Sequence, residues 1–211
     1  MEFRPSASVG PLGLALAAAL VAFIPGSPQA EPAPAPSGHY IADPAHTSLV
    51  WRIGHFGLSH YTARLTAVTA ELDWDQEQPS LSKLTVAIDP MSTRTEFPFP
   101  EVENFDEKIG THPDFLAGQP ITFVSRSIKQ TGEDVGFIRG DLTFRGETHP
   151  MTLKVRYNGS MAEHPMEKVA KLGFSATGVV KRSDWGLDFA IPALSDEVEL
   201  VIESEFMPPR T

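Results

Sequence analysis

The feature that most limits what this chain can fold into is a two-residue alternation of apolar and polar side chains, repeated in short runs between polar turns. In residues 48–53, Leu49, Trp51 and Ile53 share one parity, and Ser48 and Arg52 the other. That period is what a half-buried strand requires. It recurs in Leu84, Val86 and Ile88, in Ile138, Leu142 and Phe144, in Met151, Leu153, Val155 and Tyr157, and in Val198, Leu200, Ile202 and Phe206. Residues 121–128 and 172–180 read as further strands. Across residues 63–74 the parity slips between Leu65 and Val68, the mark of a bulge. Polar connections at 75–82, 129–133 and 145–148 are short, so neighbouring strands run antiparallel. The expected fold class is all-β, with eight strands in a sandwich or a barrel. Eight is the number at which a closed barrel is just wide enough to be filled by side chains or to hold one small ligand. Closure also removes exposed strand edges, which favours the barrel.

Residues 91–118, between the third and fourth strands, break the pattern. Phe97-Pro98-Phe99-Pro100 cannot continue a central strand. Val102, Phe105 and Ile109 are spaced three and four apart, which predicts a short helix over 101–109. A long connection with helical pieces is expected to act as a lid or plug.

The first 30 residues read as an export signal. Residues 9–24 are apolar and uncharged, Arg4 precedes them, and Pro25-Gly26 ends the run. The run is shorter than the roughly 20 residues a membrane-spanning helix needs. Residues 31–37 form a Pro/Ala-rich linker, expected to be extended and disordered, and 38–211 form one domain. The expected location is periplasmic or secreted. The chain has no cysteine, so disulfides and thiolate chemistry are excluded. A net charge of −10 argues against binding nucleic acid.

Polar motifs offer little chemistry. The seven histidines include no HExxH pair, and His112, His149 and His164 each precede a proline. Neither GxSxG nor a phosphate loop occurs. No catalytic residue, no metal ligand and no covalent cofactor are therefore assigned. Aromatic side chains are plentiful instead: Trp51, Phe56, Phe97, Phe99, Phe105, Phe115, Phe123, Phe144, Phe174 and Trp185. Periodicity alone leaves two readings open, a packed core or an apolar tunnel for a lipid-like ligand.

Several segments, in order, resemble one known family. They are Tyr40-Ile41-x-Asp43-Pro44-x-His46-Thr47, His55-x-Gly57-x-Ser59, His112-Pro113-Asp114-Phe115 and Pro120-Ile121-Thr122-Phe123-x-Ser125. Then come Gly140-Asp141-Leu142-Thr143-Phe144-Arg145-Gly146, Lys181-Arg182-Ser183-Asp184-Trp185-Gly186-Leu187 and Asp196-Glu197-Val198-x-Leu200. Together these resemble the YceI family of periplasmic polyisoprenoid-binding proteins over residues 40–206. The resemblance implies an eight-stranded antiparallel lipocalin-like barrel with short helical insertions between strands 3 and 4. It also implies a bound isoprenoid lipid, such as a polyprenyl lipid or an isoprenoid quinone, for storage or transport without catalysis. On that basis Arg182 and His55 are expected near a polar head group. Trp51, Ile53, Phe56, Phe105, Phe115, Phe123, Phe144, Phe174 and Trp185 are expected along the cavity or its mouth. Two alternatives differ in class: a quinone-handling accessory of a membrane redox or stress-response system, and a barrel hydrolase or isomerase. Besides the lipid, the expected partner is a membrane redox or lipid-handling protein.

Overall fold

The computed structural model describes residues 33–210. The expected leader and the first two linker residues lie outside the described residues. Ten antiparallel strands form one closed sheet: β1 (Gly38–His55), β2 (Ser59–Leu65), β3 (Val68–Trp74), β4 (Lys83–Ile88), β5 (Thr93–Arg94), β6 (Ile121–Gln130), β7 (Val135–Phe144), β8 (Glu147–Met161), β9 (Lys171–Lys181) and β10 (Leu194–Met207). Closure comes from pairing of β10 with β1, as in Trp51 opposite Leu200. The start of β1 pairs with β3 and its second half with β2, while β4 pairs with β3 and β5 with β2. Thus β2–β3 and β4–β5 are two interrupted strands, and the ring is an eight-stranded up-and-down barrel.

The interruption is where the parity slips. Ala63 and Leu65 are buried before it, Ala70 and Leu72 after it, and the intervening Thr66 and Ala67 are exposed. Inner faces are apolar and outer faces are polar: exposed Lys154 and Arg156 alternate with Leu153 and Val155. At the upper end of the barrel, the β1–β2 turn uses the left-handed region at Phe56 (φ 51°) and Gly57 (φ 69°). The β7–β8 turn does the same at Arg145 (φ 52°) and Gly146 (φ 80°). Two such residues match the twist of a hairpin and complete it. For that reason β8 begins at Glu147, inside the segment read from sequence as a turn.

The long connection over 95–120 covers the upper end. Its helix, α1 (Phe105–Thr111), starts later than the apolar spacing predicts because Asn104 caps it, accepting from the Glu107 N–H at 3.2 Å. Asp106 and Glu107 sit in the first turn, where the helix dipole favours negative charge. The side chain of Leu116 packs onto the core. Arg145 pins this segment, donating to the carbonyls of Pro113 and Phe115 (2.6 Å to the latter) and of Trp185 (3.1 Å).

The described part of the proline-alanine stretch, residues 33–37, corrects the expectation of a free linker. Ala35 is fully buried. Its N–H donates to Ser160 Oγ, the Ala33 carbonyl accepts from Ala162 N–H, and the Pro36 carbonyl accepts from the Tyr40 hydroxyl. Extended backbone with small side chains lies flat against the lower end of the barrel, and its polar groups find partners there.

Candidate ligand-binding site

Each of the eight ring positions contributes inward side chains to a central cavity of about 130 Å³. The wall includes Leu49, Leu72, Val86, Phe123, Leu142, Met151, Phe174, Leu200, Ile202 and Phe206. Its only hydroxyl-bearing residues among those described, Thr47 and Ser204, lie opposite one another in the β1–β10 ladder and hydrogen-bond to each other at 2.9 Å. Among the described residues, no carboxylate or cationic side chain lines it. Such a surface favours hydrocarbon and offers no partner to a charge.

Both ends of the cavity are capped. At the lower end Trp74 stacks on Tyr157 with ring centroids 5.8 Å apart, and Phe174 bridges Trp74 and Phe206. At the upper end Trp185 packs against Phe144, and its indole N–H donates to the Glu147 carbonyl at 3.1 Å. An aromatic file runs upward from Trp51 through Tyr61, Phe105 and Phe97 to the exposed Phe99.

Among the residues singled out from sequence, Phe123 and Phe174 line the cavity. Trp51 and Phe144 pack in the core around it, and Ile53 lies on the same inward face of β1 as Trp51, one level higher. Phe105 opens α1 and packs on Tyr61, while Phe115 sits in the lid against Phe189. Trp185 is 3% exposed and plugs the upper end rather than lining an open mouth. His55 and Phe56 are at the exposed hairpin tip, Phe56 being 60% exposed, and neither reaches the cavity.

Arg182 corrects an expectation. Its side chain is buried and donates to four backbone carbonyls: Ser195 (2.8 Å), Leu187 (2.8 Å), Phe189 (2.8 Å) and Leu194 (3.0 Å). Four of the five N–H bonds a guanidinium carries are thereby committed to folding the 182–195 loop. Burial lowers its pKa, opposed by the charges of Asp196 and Asp188.

A buried ionic cluster was not visible in the sequence. Lys171 Nζ contacts Asp43, Glu167 (3.0 Å) and Glu205 (3.4 Å), and His46 Nδ1 lies 2.8 Å from Asp43 Oδ2. Burial would raise the Asp43 pKa, but hydrogen bonds from Lys171, His46 and the Ala45 N–H outweigh it and hold the carboxyl far below the usual range. The hydrogen bond to Asp43, with the charge of Glu205, raises the His46 pKa. Asp43, His46 and Glu205 have the atoms to ligate a metal. The Lys171 ammonium already sits among them as the counter-cation. Only the Asp43-Pro44 turn signal hinted at this cluster, since Lys171 is 128 residues away from Asp43.

Comparison with known proteins agrees with the geometry. The YceI-like domain family model matches residues 40–206. Protein YceI of Escherichia coli is 32% identical over 163 residues, covering 76% of this chain and 81% of that protein. The crystal structure of the Campylobacter jejuni YCEI protein superposes with a TM-score of 0.63 at 25% identity, covering 74% of this chain and 90% of that one. A polyisoprenoid binding domain from Saccharophagus degradans has the same fold (TM-score 0.55, 13% identity, 82% and 99% coverage). With the family model matching residues 40–206, nearly the whole barrel, and a relative 32% identical over most of its length, the chain belongs to the YceI family.

Proposed function

We propose that this protein is exported to the periplasm, where it holds the hydrocarbon chain of an isoprenoid lipid inside its barrel for storage or transport. The observation that carries this reading is the cavity wall, hydrocarbon on every strand, with its only two hydroxyls bonded to each other. Burying an isoprenoid chain there removes apolar surface from water, worth about 25 cal/mol per Å². Family membership supports the same ligand class, and the S. degradans relative is described as a polyisoprenoid binding domain. The sequence of the first 30 residues supports export.

The resting cavity of about 130 Å³ is close to one of ~150 Å³ that admits benzene. It therefore takes about one isoprene unit as it stands, and a longer chain widens it. A quinone head is favoured over a plain hydrocarbon by one observation. The indole N–H groups of Trp51 and Trp74, at the upper and lower levels of the interior, are buried without an acceptor. A buried unpaired donor costs about 1–3 kcal/mol, which a ligand carbonyl would relieve.

The test is extraction of natively purified protein with organic solvent, followed by mass spectrometry. An isoprenoid in near-stoichiometric amount is expected. Empty protein that also refuses added isoprenoids overturns the reading.

A further inference from the structure

The barrel wall has an unpaired seam. β8 and β9 pair from Lys154 opposite Thr177 down to Met161 opposite Lys171. Above that level, residues 147–153 of β8 and 178–181 of β9 have no backbone pairing with each other, although each still pairs with its other neighbour. Two residue types contribute. Pro150 has no N–H to donate. Gly178 has no side chain, and a Cβ there would meet Met151 Cε at 2.6 Å and Leu153 Cδ2 at 2.9 Å. Met151 thus leans across the inner side of the seam into the space that Gly178 leaves.

The outer surface at the seam is a groove whose lining includes Phe137, Thr152, Lys154, Val179, Glu199 and Val201, together with Met151 and Leu200. Met151 and Leu200 also line the inner cavity. Residues that face inward by strand parity can be reached from outside only where the wall is thin. Phe137, Val179 and Val201 are 37%, 51% and 39% exposed, an apolar patch flanked in the groove by Lys154 and Glu199. An apolar landing therefore adjoins the gap. The barrel ends are less favourable routes: the lower is sealed by stacked aromatic rings and by residues 33–37, the upper by Trp185 and the Arg145-pinned lid. Parting the seam disrupts no pairing of the β8–β9 ladder.

We propose that the β8–β9 seam is a lateral portal through which the apolar chain of an isoprenoid passes between solvent or membrane and the cavity, with Met151 as its movable plug. This rests on the isoprenoid-binding reading and adds the route and the widening that reading needs. The chain slides from the Phe137–Val179–Val201 groove past Met151, which swings off Gly178. Methionine suits the role because its unbranched thioether changes rotamer cheaply.

The experiment uses the absence of native cysteine. Thr152→Cys with Val179→Cys places one thiol on each side of the seam, and Glu71→Cys with Thr85→Cys places a pair across the fully bonded β3–β4 ladder as control. Full-length protein is loaded with a four-isoprene menaquinone. Release into phosphatidylcholine vesicles is followed by recovery of tryptophan fluorescence. Oxidation of the seam pair is expected to slow release at least about tenfold, with recovery on reduction, while the control pair is unaffected by either. Met151→Ala is expected to speed release several-fold in a protein with no added thiol. Equal release from the oxidised and reduced seam pair, with the disulfide confirmed by intact mass, overturns the portal. Met151→Ala releasing no faster than wild type overturns the plug. Wild-type protein that never takes up the quinone overturns the binding reading and the portal with it; uptake with seam-independent release overturns the portal alone.

Discussion

Replacing Lys171 with methionine removes the ammonium from the lower ionic cluster while keeping the length of the side chain. Lys171 and Asp43 side chains are 6% and 5% exposed, whereas Glu167 and Glu205 are 32% and 41% exposed. Screening by solvent therefore leaves Asp43 as the partner that counts. Unit charges about 4 Å apart at an effective dielectric of 20 attract by about 4 kcal/mol, and stranding one member of a buried pair costs about 3–5 kcal/mol. Discounted for the help His46 still gives Asp43, the expected loss is about 3 kcal/mol at pH 7. For a domain of this size that lowers Tm by about 6–12 °C. Urea unfolding should show a lower midpoint with an unchanged slope. The pH dependence carries a sign. The folded pKa of Asp43 lies below its unfolded value, so its contribution is complete above about pH 4 and fades as pH falls toward the folded pKa. The gap between wild type and variant should narrow below about pH 4. Adding Asp43→Asn should cost less than the sum of the two single changes, because the stranded charge is gone. A Lys171→Met protein within about 1 kcal/mol of wild type at pH 7, or a penalty constant down to pH 3, would refute the electrostatic account.

His46 should act in the opposite sense: its folded pKa is raised, so its contribution is complete below about pH 6.5 and lost as pH rises through the folded value. His46→Gln should thus differ most from wild type in slightly acidic buffer, read by thermal melts across pH. Gly140→Ala should destabilise by about 1–3 kcal/mol or prevent folding, since its Cβ would collide with the Val124 carbonyl and come within 2.5 Å of Phe123 Cζ; chemical unfolding measures it. Arg145→Ala should release the lid. Hydrogen–deuterium exchange over 112–118 is expected to rise at least about tenfold, with the β7–β9 strands unchanged.

Much of this fold is a local property of the chain. Parity along Leu49-Trp51-Ile53 or Met151-Leu153-Val155 reports which side chains face inward, because successive residues on a strand point to opposite faces whatever surrounds them. The slip between Leu65 and Val68, the proline-broken segment at 97–100 and the polar turns are local too, so eight strands in antiparallel order were legible. Height along the barrel was not. Trp51 and Leu49 share a parity, yet Leu49 lines the cavity and Trp51 packs in the core at the level above, because stagger between paired strands decides the layer. The same limit explains Arg182, whose motif suggested a head-group contact and whose acceptors are carbonyls presented only by the folded 187–195 segment. It explains the Lys171–Asp43 pair, which joins the beginning of β1 to the beginning of β9. Sequence by itself determined the class of fold, the inward faces and the family, since these depend on the period of the chain and on short motifs. Tertiary structure alone decided which inward residues bound a cavity and where the wall is unbonded, since a seam arises from the pairing of two strands and belongs to neither.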